Sequence, residues 1–334
     1  MDYVRFGSSG LEVSRLCLGC MDFAERLDEK QSARVLDAAL EAGVNFLDTA
    51  DAYGRGHNEE VLGRLLQGRR DNVVIATKFW VKMERGKRNR GGCSRIHIVR
   101  AVEDSLRRLQ TDRIDLYMLH HPDPDTPAEE TLSTLDTLVR QGKVLYWGVS
   151  NHYAWQMAHY LGLCSLHHWE PMISIECRYN IFDRVIENET LHFCQRFDIA
   201  TMIYGPLDRG ILTAKYRRGE PAPEGSFLAK FKRGQAKLTD DLFDARDGLQ
   251  AIADKHGILL NQLAVAWLLA KPGVSSIIMG GSKPEHFEQL FGCCDIELDA
   301  DDIAAIDRLS EAWRYRPYAN QAKVEGARLA LNRW

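Results

Sequence analysis

The chain has 334 residues, with 43 lysines and arginines against 47 aspartates and glutamates, so its formal net charge is −4. Because the charge is nearly balanced and no long basic block occurs, the composition argues against nucleic acid and anionic membranes as partners. The apolar stretches, such as residues 264–270, are far shorter than the roughly 18 residues that a membrane-spanning helix needs. The start of the sequence shows no signal-peptide pattern. We therefore expect a cytoplasmic protein without a membrane segment.

Eight cysteines occur, at positions 17, 20, 93, 164, 177, 194, 293 and 294. A chain of this length buries a large core without disulfide bonds, so we expect reduced thiols. Cys17 and Cys20 have the spacing of half a metal site, but no second pair with a suitable spacing follows. We therefore expect no metal.

Short apolar runs recur along the chain, at residues 15–19, 44–47, 73–76, 114–119, 144–149, 172–175, 199–203 and 275–279. Most of them start about 30 residues apart, the length of a strand–helix–strand unit. They are apolar throughout, as parallel strands buried on both faces require. Eight such units predict an α/β fold, a (β/α)8 TIM barrel in a single domain spanning residues 1–334, while a doubly wound sheet remains the competing architecture.

Further elements are predicted around this barrel. Residues 3–6 and 11–14 flank the turn Gly7-Ser8-Ser9-Gly10, a pattern typical of a β-hairpin, which would cover the bottom of the barrel. Helical spacing occurs at residues 32–41, 94–109, 127–140 with Thr126 as the expected N-cap, 240–256 and 260–270. Residues 217–237 predict a mobile loop over the mouth of the barrel, and a C-terminal tail follows from residue 311.

Polar residues follow four successive strands where each strand ends, namely Asp48, Lys78, His120, and Ser150 with Asn151. The carboxyl ends of barrel strands are where active sites collect, because the βα loops begin there. A lysine directly after an apolar strand needs a carboxylate nearby, and Asp48 is the natural partner of Lys78. Taken alone, this ion pair is as well explained by a structural role as by a catalytic one.

Tyr53 adds a possible proton donor to this set. A tyrosine has an ordinary pKa of about 10, and an adjacent ammonium such as that of Lys78 is expected to lower it. Asp48 would orient the ammonium, and a neutral His120 would donate to a carbonyl oxygen or share the proton of Tyr53. These residues together predict the protonation of an alkoxide, with a nicotinamide as the external hydride donor.

The chain resembles the aldo-keto reductase superfamily in five motifs, which are Asp48-Thr-Ala-Asp-Ala-Tyr53-Gly54, Lys78, Leu119-His120, Gly148-Val-Ser-Asn151, and Tyr204-Gly-Pro-Leu207 with Gly210-Ile-Leu-Thr213. Asn58-Glu59-Glu60 and the segment Gly92-Cys-Ser-Arg95 resemble the bacterial branch that includes potassium-channel β-subunit-like proteins and sugar-modifying reductases. The resemblance implies that Asp48, Tyr53, Lys78 and His120 are catalytic, with Tyr53 as the general acid. It implies a cofactor site formed by Cys20, Met21, Asp48, Ser150, Asn151, Glu176, Tyr204, Gly205, Pro206, Leu207, Gly210, Gly280, Ser282, Lys283, His286 and Gln289.

Three positions depart from the family pattern. Glu176 stands where the family usually has a glutamine that binds the nicotinamide carboxamide, and a carboxylate accepts from that amide but does not donate. His286 and Gln289-Leu290 replace residues that commonly contact the adenosine phosphate and adenine. Lys283, Ser282 and His286, at the amino end of a helix starting near Pro284, still suit a 2′-phosphate and favour NADP(H) over NAD(H). No G-x-G-x-x-G motif occurs, which agrees with a barrel rather than a dinucleotide-binding domain.

The leading functional prediction is an NADP-dependent carbonyl reductase acting on a small-molecule aldehyde or ketone. One alternative is a reductase of a keto-sugar or a nucleotide-bound deoxysugar, because the basic residues within 85–90 would suit a diphosphate. The other is a regulatory, channel-β-subunit-like protein that binds the cofactor with little turnover. The sequence does not indicate the substrate or the oligomeric state.

Overall fold

The fold of this chain comes from a computed structural model that describes residues 1–23, 25–83, 86, 88–230 and 236–314. An antiparallel hairpin of β1 (Tyr3–Arg5) and β2 (Glu12–Ser14) precedes the barrel. Eight parallel strands then close on themselves in chain order: β3 (Leu16–Gly19), β4 (Phe46–Asp48), β5 (Val74–Phe79), β6 (Ile114–Leu119), β7 (Val144–Ser150), β8 (Ser174–Arg178), β9 (Ala200–Tyr204) and β10 (Ser276–Met279). This closure confirms the predicted barrel and excludes the doubly wound sheet.

The strand ends differ from the sequence prediction in a way that matters for the site. Asp48, Lys78 and Ser150 lie inside β4, β5 and β7, whereas the apolar runs predicted that each follows its strand. The ladder hydrogen bonds continue past the last apolar residue, because a polar side chain does not interrupt parallel pairing. These three side chains are therefore held by rigid backbone rather than by loops.

The hairpin closes the amino-terminal end of the barrel, as predicted. Phe6 is fully buried and its ring lies 5.3 Å from that of Phe46 inside the barrel. The turn passes so close to the strands that a Cβ atom on Gly7, at φ +60°, would lie 2.5 Å from the carbonyl oxygen of Ile173. Glycine satisfies both constraints, since it has no side chain and adopts positive φ without strain.

Helices surround the barrel: α1 (Glu29–Glu41), α2 (His57–Leu65), α3 (Arg95–Leu109), α4 (Ala128–Arg140), α5 (Ala154–His167), α6 (Thr190–Phe197), α7 (Asp240–Lys255), α8 (Leu260–Leu269), α9 (Pro284–Glu288) and α10 (Ala300–Leu309). The helices predicted from spacing are all present with small differences in their ends. The expected N-cap of α4 is wrong, because the hydroxyl of Thr126 donates to Asp123 at 2.7 Å and Pro127 occupies the capping position. No helix in the described ranges is both long and apolar enough to cross a bilayer.

Several predictions concern segments that the structure covers only in part. Within the loop 217–237, a short helical turn spans Leu228–Lys230, and residues 231–235 lie outside the described ranges, as do Arg85 and Lys87 of the basic stretch. The tail is described to residue 314, with a helical turn at Glu311–Trp313. All eight cysteines carry free thiols.

A buried ion pair joins α2 and α3 to the barrel. The carboxylate of Glu59, which has no solvent exposure, accepts a hydrogen bond from Arg108 Nε at 2.7 Å and another from the hydroxyl of Thr77 at 2.5 Å. The hydroxyl of Ser105 donates a third hydrogen bond to the same carboxylate at 3.3 Å. Because the carboxylate is removed from water, its free energy depends on these partners.

We expect Arg108→Met to lower the free energy of unfolding by about 3–5 kcal/mol, because it leaves the Glu59 charge buried without its cation. The adjacent Arg107→Met is the matched control. Arg107 pairs with Asp104 at 2.8 Å on the surface, where its side chain is 71% exposed, and such pairs contribute about 1 kcal/mol or less. Denaturant unfolding of both variants measures the difference, and equal losses would contradict a stabilising role of the buried pair.

Candidate active site

The carboxyl ends of four strands of the barrel bring polar side chains together at its mouth. Asp48, Lys78, Ser150 and Glu176 come from β4, β5, β7 and β8, and all four are buried. The parallel register places Ser150 beside Glu176. The closure of the barrel then turns all of these side chains towards one central space.

The ammonium group of Lys78 is the centre of this cluster. It has no solvent exposure and donates to Asp48 Oδ1 at 2.5 Å and to the carbonyl oxygen of Thr49 at 2.9 Å. Glu176 Oε2 lies 3.1 Å from the same nitrogen and forms a second ion pair with it. The predicted Asp48–Lys78 pair is therefore present, and sequence reasoning missed that Glu176 joins it.

Asp48 and Glu176 share the single ammonium of Lys78. With both carboxyl groups ionised, two negative charges would face one positive charge. Burial raises the pKa of Glu176 to about 8, and the charge of Asp48 adds to the rise. Burial also raises the pKa of Asp48, although Lys78 opposes it. Burial disfavours the charged ammonium, but Asp48 and Glu176 outweigh it and raise the pKa of Lys78. The cluster therefore keeps the ammonium charged and retains a proton on one carboxyl group at neutral pH.

Tyr53 lies beside the ammonium, in the turn that follows β4. The centre of its ring is 5.3 Å from Lys78 Nζ and 6.1 Å from the ring of His120, in an edge-to-face arrangement. Burial raises the pKa of Tyr53, and the lowering by Lys78 does not compensate, because Asp48 and Glu176 also raise it. The expectation that Lys78 brings the tyrosine pKa below its ordinary value is wrong for this structure.

His120 is a neutral imidazole in this environment. Burial lowers the pKa of His120 to about 3, and Lys78 and His121 contribute to the decrease. Its Nδ1 atom has no hydrogen-bond partner, and its ring stacks on that of His121 with 5.0 Å between centres. The ring of Trp80 lies 5.0 Å from the ring of His121, measured between their centres. Aromatic rings therefore line the mouth next to Tyr53.

Asn151 connects three other predicted residues. Its backbone has a left-handed φ of 61°, and its side-chain nitrogen donates to Ser150 Oγ at 2.9 Å and to the carbonyl oxygen of His120 at 3.0 Å. The hydroxyl of Tyr204 donates to its side-chain oxygen at 2.8 Å. The structure thus brings Ser150, Asn151 and Tyr204 together beside Glu176, whose carbonyl oxygen accepts from the Asn151 N–H at 3.0 Å.

The turn after β9 contains Gly205, Pro206, Leu207 and Gly210. The carbonyl oxygen of Gly205 accepts from the side chain of Asn180 at 2.9 Å, which anchors the start of the turn. A Cβ atom on Gly210, at φ +89°, would lie only 3.0 Å from the ammonium of Lys215. Sequence reasoning missed Lys215, although it stands only two residues after the quoted Gly210-Ile-Leu-Thr213 motif.

A second positive group, Lys283, lies in the segment after β10. Lys283 precedes α9, with Gly280 and Ser282 just before it. Burial lowers the pKa of His286, and the charges of Lys215 and Lys283 lower it further, so the three side chains lie near one another. The side chain of Gln289 is bound to a neighbouring helix instead: its oxygen accepts a hydrogen bond from the side-chain nitrogen of Asn261, in α8, at 3.1 Å.

Cys20 and Met21 lie on the first loop of the barrel mouth. The N–H of Cys20 donates to the carbonyl oxygen of Asp48 at 2.8 Å, and its thiol is buried. Met21 is 47% exposed, which leaves its side chain accessible from the mouth. Within the described ranges, no three histidine, cysteine or acidic residues are grouped as they would be around a metal ion.

Comparison with known proteins identifies the family. The model of the aldo/keto reductase family matches residues 15–311. A probable voltage-gated potassium channel subunit beta of Arabidopsis thaliana is 35% identical over 325 residues, covering 95% of this chain and 98% of that protein. Aldo-keto reductase YhdN of Bacillus subtilis (strain 168) is 35% identical over 322 residues, covering 93% and 94% respectively. The chain therefore belongs to the aldo/keto reductase family and is an oxidoreductase of that family.

Proposed function

We propose that this chain is an NADP(H)-dependent reductase that converts a small-molecule aldehyde or ketone into an alcohol. The observation that carries the proposal is the placement of Tyr53 and a neutral His120 around the buried Lys78 ammonium, at the open end of the barrel. A nicotinamide bound in this opening would supply the hydride. The residues of the chain then have to provide the proton and stabilise the developing charge.

Tyr53 is the proton donor in this proposal. The phenol is protonated at neutral pH, as a general acid has to be before it transfers its proton. When the phenol transfers its proton to the developing alkoxide, the nearby ammonium of Lys78 stabilises the phenolate that remains. Asp48 holds that ammonium in place at 2.5 Å. A neutral His120 donates to the carbonyl oxygen and polarises it.

The described residues fit a nicotinamide cofactor with a 2′-phosphate. Ser150, Asn151 and Tyr204 form a connected polar group suited to the carboxamide and the ring. The backbone of the turn Gly205–Leu207 and Gly210, with the ammonium of Lys215 next to Gly210, suits the pyrophosphate. Lys283, Ser282 and His286 suit the 2′-phosphate, because a cation, a hydroxyl and an imidazole stand within five residues of one another at the start of α9.

A second candidate function is a regulatory protein that binds the cofactor with little turnover. It is favoured by the relatives named as probable voltage-gated potassium channel subunits beta in rice (Oryza sativa subsp. japonica) and in Arabidopsis thaliana. A panel of simple aldehydes and ketones separates the two candidates. Consumption of NADPH supports the reductase, whereas tight cofactor binding without turnover supports the regulatory protein. A keto-sugar in the same panel tests the remaining alternative.

We expect Tyr53→Phe to retain NADPH binding and to lose most carbonyl reduction, because only the proton donor is removed. A general acid contributes about 10²–10⁴-fold to the rate, so turnover should fall to less than about one hundredth. Fluorescence titration with NADPH and steady-state rates measure the two properties. Tyr153→Phe removes a hydroxyl from a residue that is 68% exposed and serves as the control. If Tyr53→Phe keeps more than a tenth of the activity, Tyr53 is not the acid.

We expect Lys283→Ala to weaken NADPH binding and to leave NADH binding nearly unchanged, because only NADPH carries the 2′-phosphate. A charge-assisted hydrogen bond contributes about 1.5–3 kcal/mol, which corresponds to roughly 10- to 150-fold in Kd. Titration of both cofactors against both proteins measures the change. Lys143→Ala, at a pair with Glu103 in which both side chains are more than a third exposed, controls for the loss of a lysine charge. An equal loss for the two cofactors would remove the 2′-phosphate role from Lys283.

A further inference from the structure

Glu176 is a buried acidic residue of β8, in the part of the site where the nicotinamide is proposed to bind. Its Cα pairs with that of Ser150, and its carbonyl oxygen accepts a hydrogen bond from Asn151. Its Oε2 atom lies 3.1 Å from the Lys78 ammonium, so the carboxyl group is the second acidic neighbour of that cation after Asp48. The carboxyl group therefore lies beside Ser150 and Asn151, which are proposed to bind the carboxamide, and it competes with Asp48 for one ammonium.

The groups that face this carboxyl group determine its charge. Titratable side chains come from the strands and turns packed around it, namely Cys17, Asp48, Tyr53, Lys78 and Tyr204. Lys78 is the one cation among these five. With both Asp48 and Glu176 ionised, the buried cluster would carry a net negative charge, which is unfavourable away from water. The pKa of Glu176 at about 8 agrees with this balance.

We propose, on the basis of the proposed function, that Glu176 determines which redox state of the nicotinamide this site prefers. The carboxyl group keeps its proton when the neutral, reduced ring binds, and it loses the proton when the oxidised, positively charged ring binds. The protonated form has an O–H that donates to the carboxamide oxygen, as a glutamine amide would. The ionised form instead attracts the positive charge of the oxidised ring.

This assignment links cofactor binding to a proton. Binding of NADP+ favours the ionised carboxylate and so releases a proton near neutral pH, whereas binding of NADPH does not. The affinity for NADP+ therefore rises as the pH increases through the titration of Glu176, and the affinity for NADPH does not rise with it. With a glutamine at position 176, NADP+ binding would release no proton from this side chain and its affinity would not depend on pH through it, because an amide does not ionise near neutral pH.

Isothermal titration calorimetry of the full chain tests the link directly. Titration with NADP+ and with NADPH at pH 7.5, in buffers of different ionisation enthalpy, counts the protons released. We expect about half a proton per NADP+, which follows if the bound ring lowers the carboxyl pKa by about one unit, and close to none for NADPH. Glu176→Gln should release none with either cofactor. Equal proton release for the two cofactors in the native protein would overturn the proposal.

The affinities provide a second readout. Between pH 7 and pH 9, the ratio of the Kd for NADP+ to that for NADPH should fall at least about fivefold in the native protein, as expected if the two complexes differ by about one pKa unit at one site. In Glu176→Gln, the ratio of the two Kd values should stay constant over the same pH range. Titration of the 2′-phosphate, with a pKa near 6, affects both cofactors and cancels in the ratio. A ratio that is constant in the native protein, or that falls equally in Glu176→Gln, would overturn the proposal.

Two controls separate this role from a structural one. Glu60→Gln makes the same chemical change at a carboxylate that is 49% exposed, and it should behave like the native protein. Glu176→Asp keeps an ionisable group and should keep the proton release. If Glu176→Gln does not fold, the proton count of the native protein still decides the question. Absence of binding of both cofactors would reject the proposed function, whereas binding of both without a difference in protons would reject only the role of Glu176.

Discussion

The burial of the Lys78 ammonium is the constraint on which the rest of the site depends. A lysine without solvent exposure is stable only if opposite charge and hydrogen-bond acceptors surround it. The barrel meets this requirement because β4 and β8 direct Asp48 and Glu176 to the same space, and the carbonyl oxygen of Thr49 accepts the remaining bond. The position of every other reactive group is defined relative to this charge.

The turn that carries Tyr53 is held by polar contacts beneath it. The N–H of Asp51 donates to the carbonyl oxygen of Lys78 at 3.1 Å, so the turn is fastened to the strand that carries the ammonium. The hydroxyl of Thr49 donates to Asn58 at 2.5 Å, and Asn58 donates to the carbonyl oxygen of Phe23 at 2.9 Å. The buried pair of Glu59 and Arg108 fixes the helix that follows. The tyrosine is therefore positioned before any ligand binds.

Charge is distributed unevenly across the mouth of the barrel. The cations Lys215 and Lys283 lie near His286 on one side, where the backbone turn with Gly210 also lies. On the other side, two carboxyl groups compete for one ammonium. This polarity suits a dinucleotide that has its phosphates at one end and a ring that becomes positive on oxidation at the other.

The sequence by itself determined the barrel and the reactive groups, because both depend on local patterns. Apolar runs spaced about one βα unit apart predict parallel buried strands, and the polar residue at the end of each run must then lie at the mouth. Asp48, Lys78 and His120 were found in this way, and Tyr53, five residues after Asp48, was added to them as a possible proton donor. The tertiary structure alone decided which groups share the ammonium, because closure of the barrel brings residue 176 to residue 78 across nearly a hundred positions. It also decided the protonation states of Tyr53 and Glu176, since the extent of burial around each group depends on packing that no local pattern encodes.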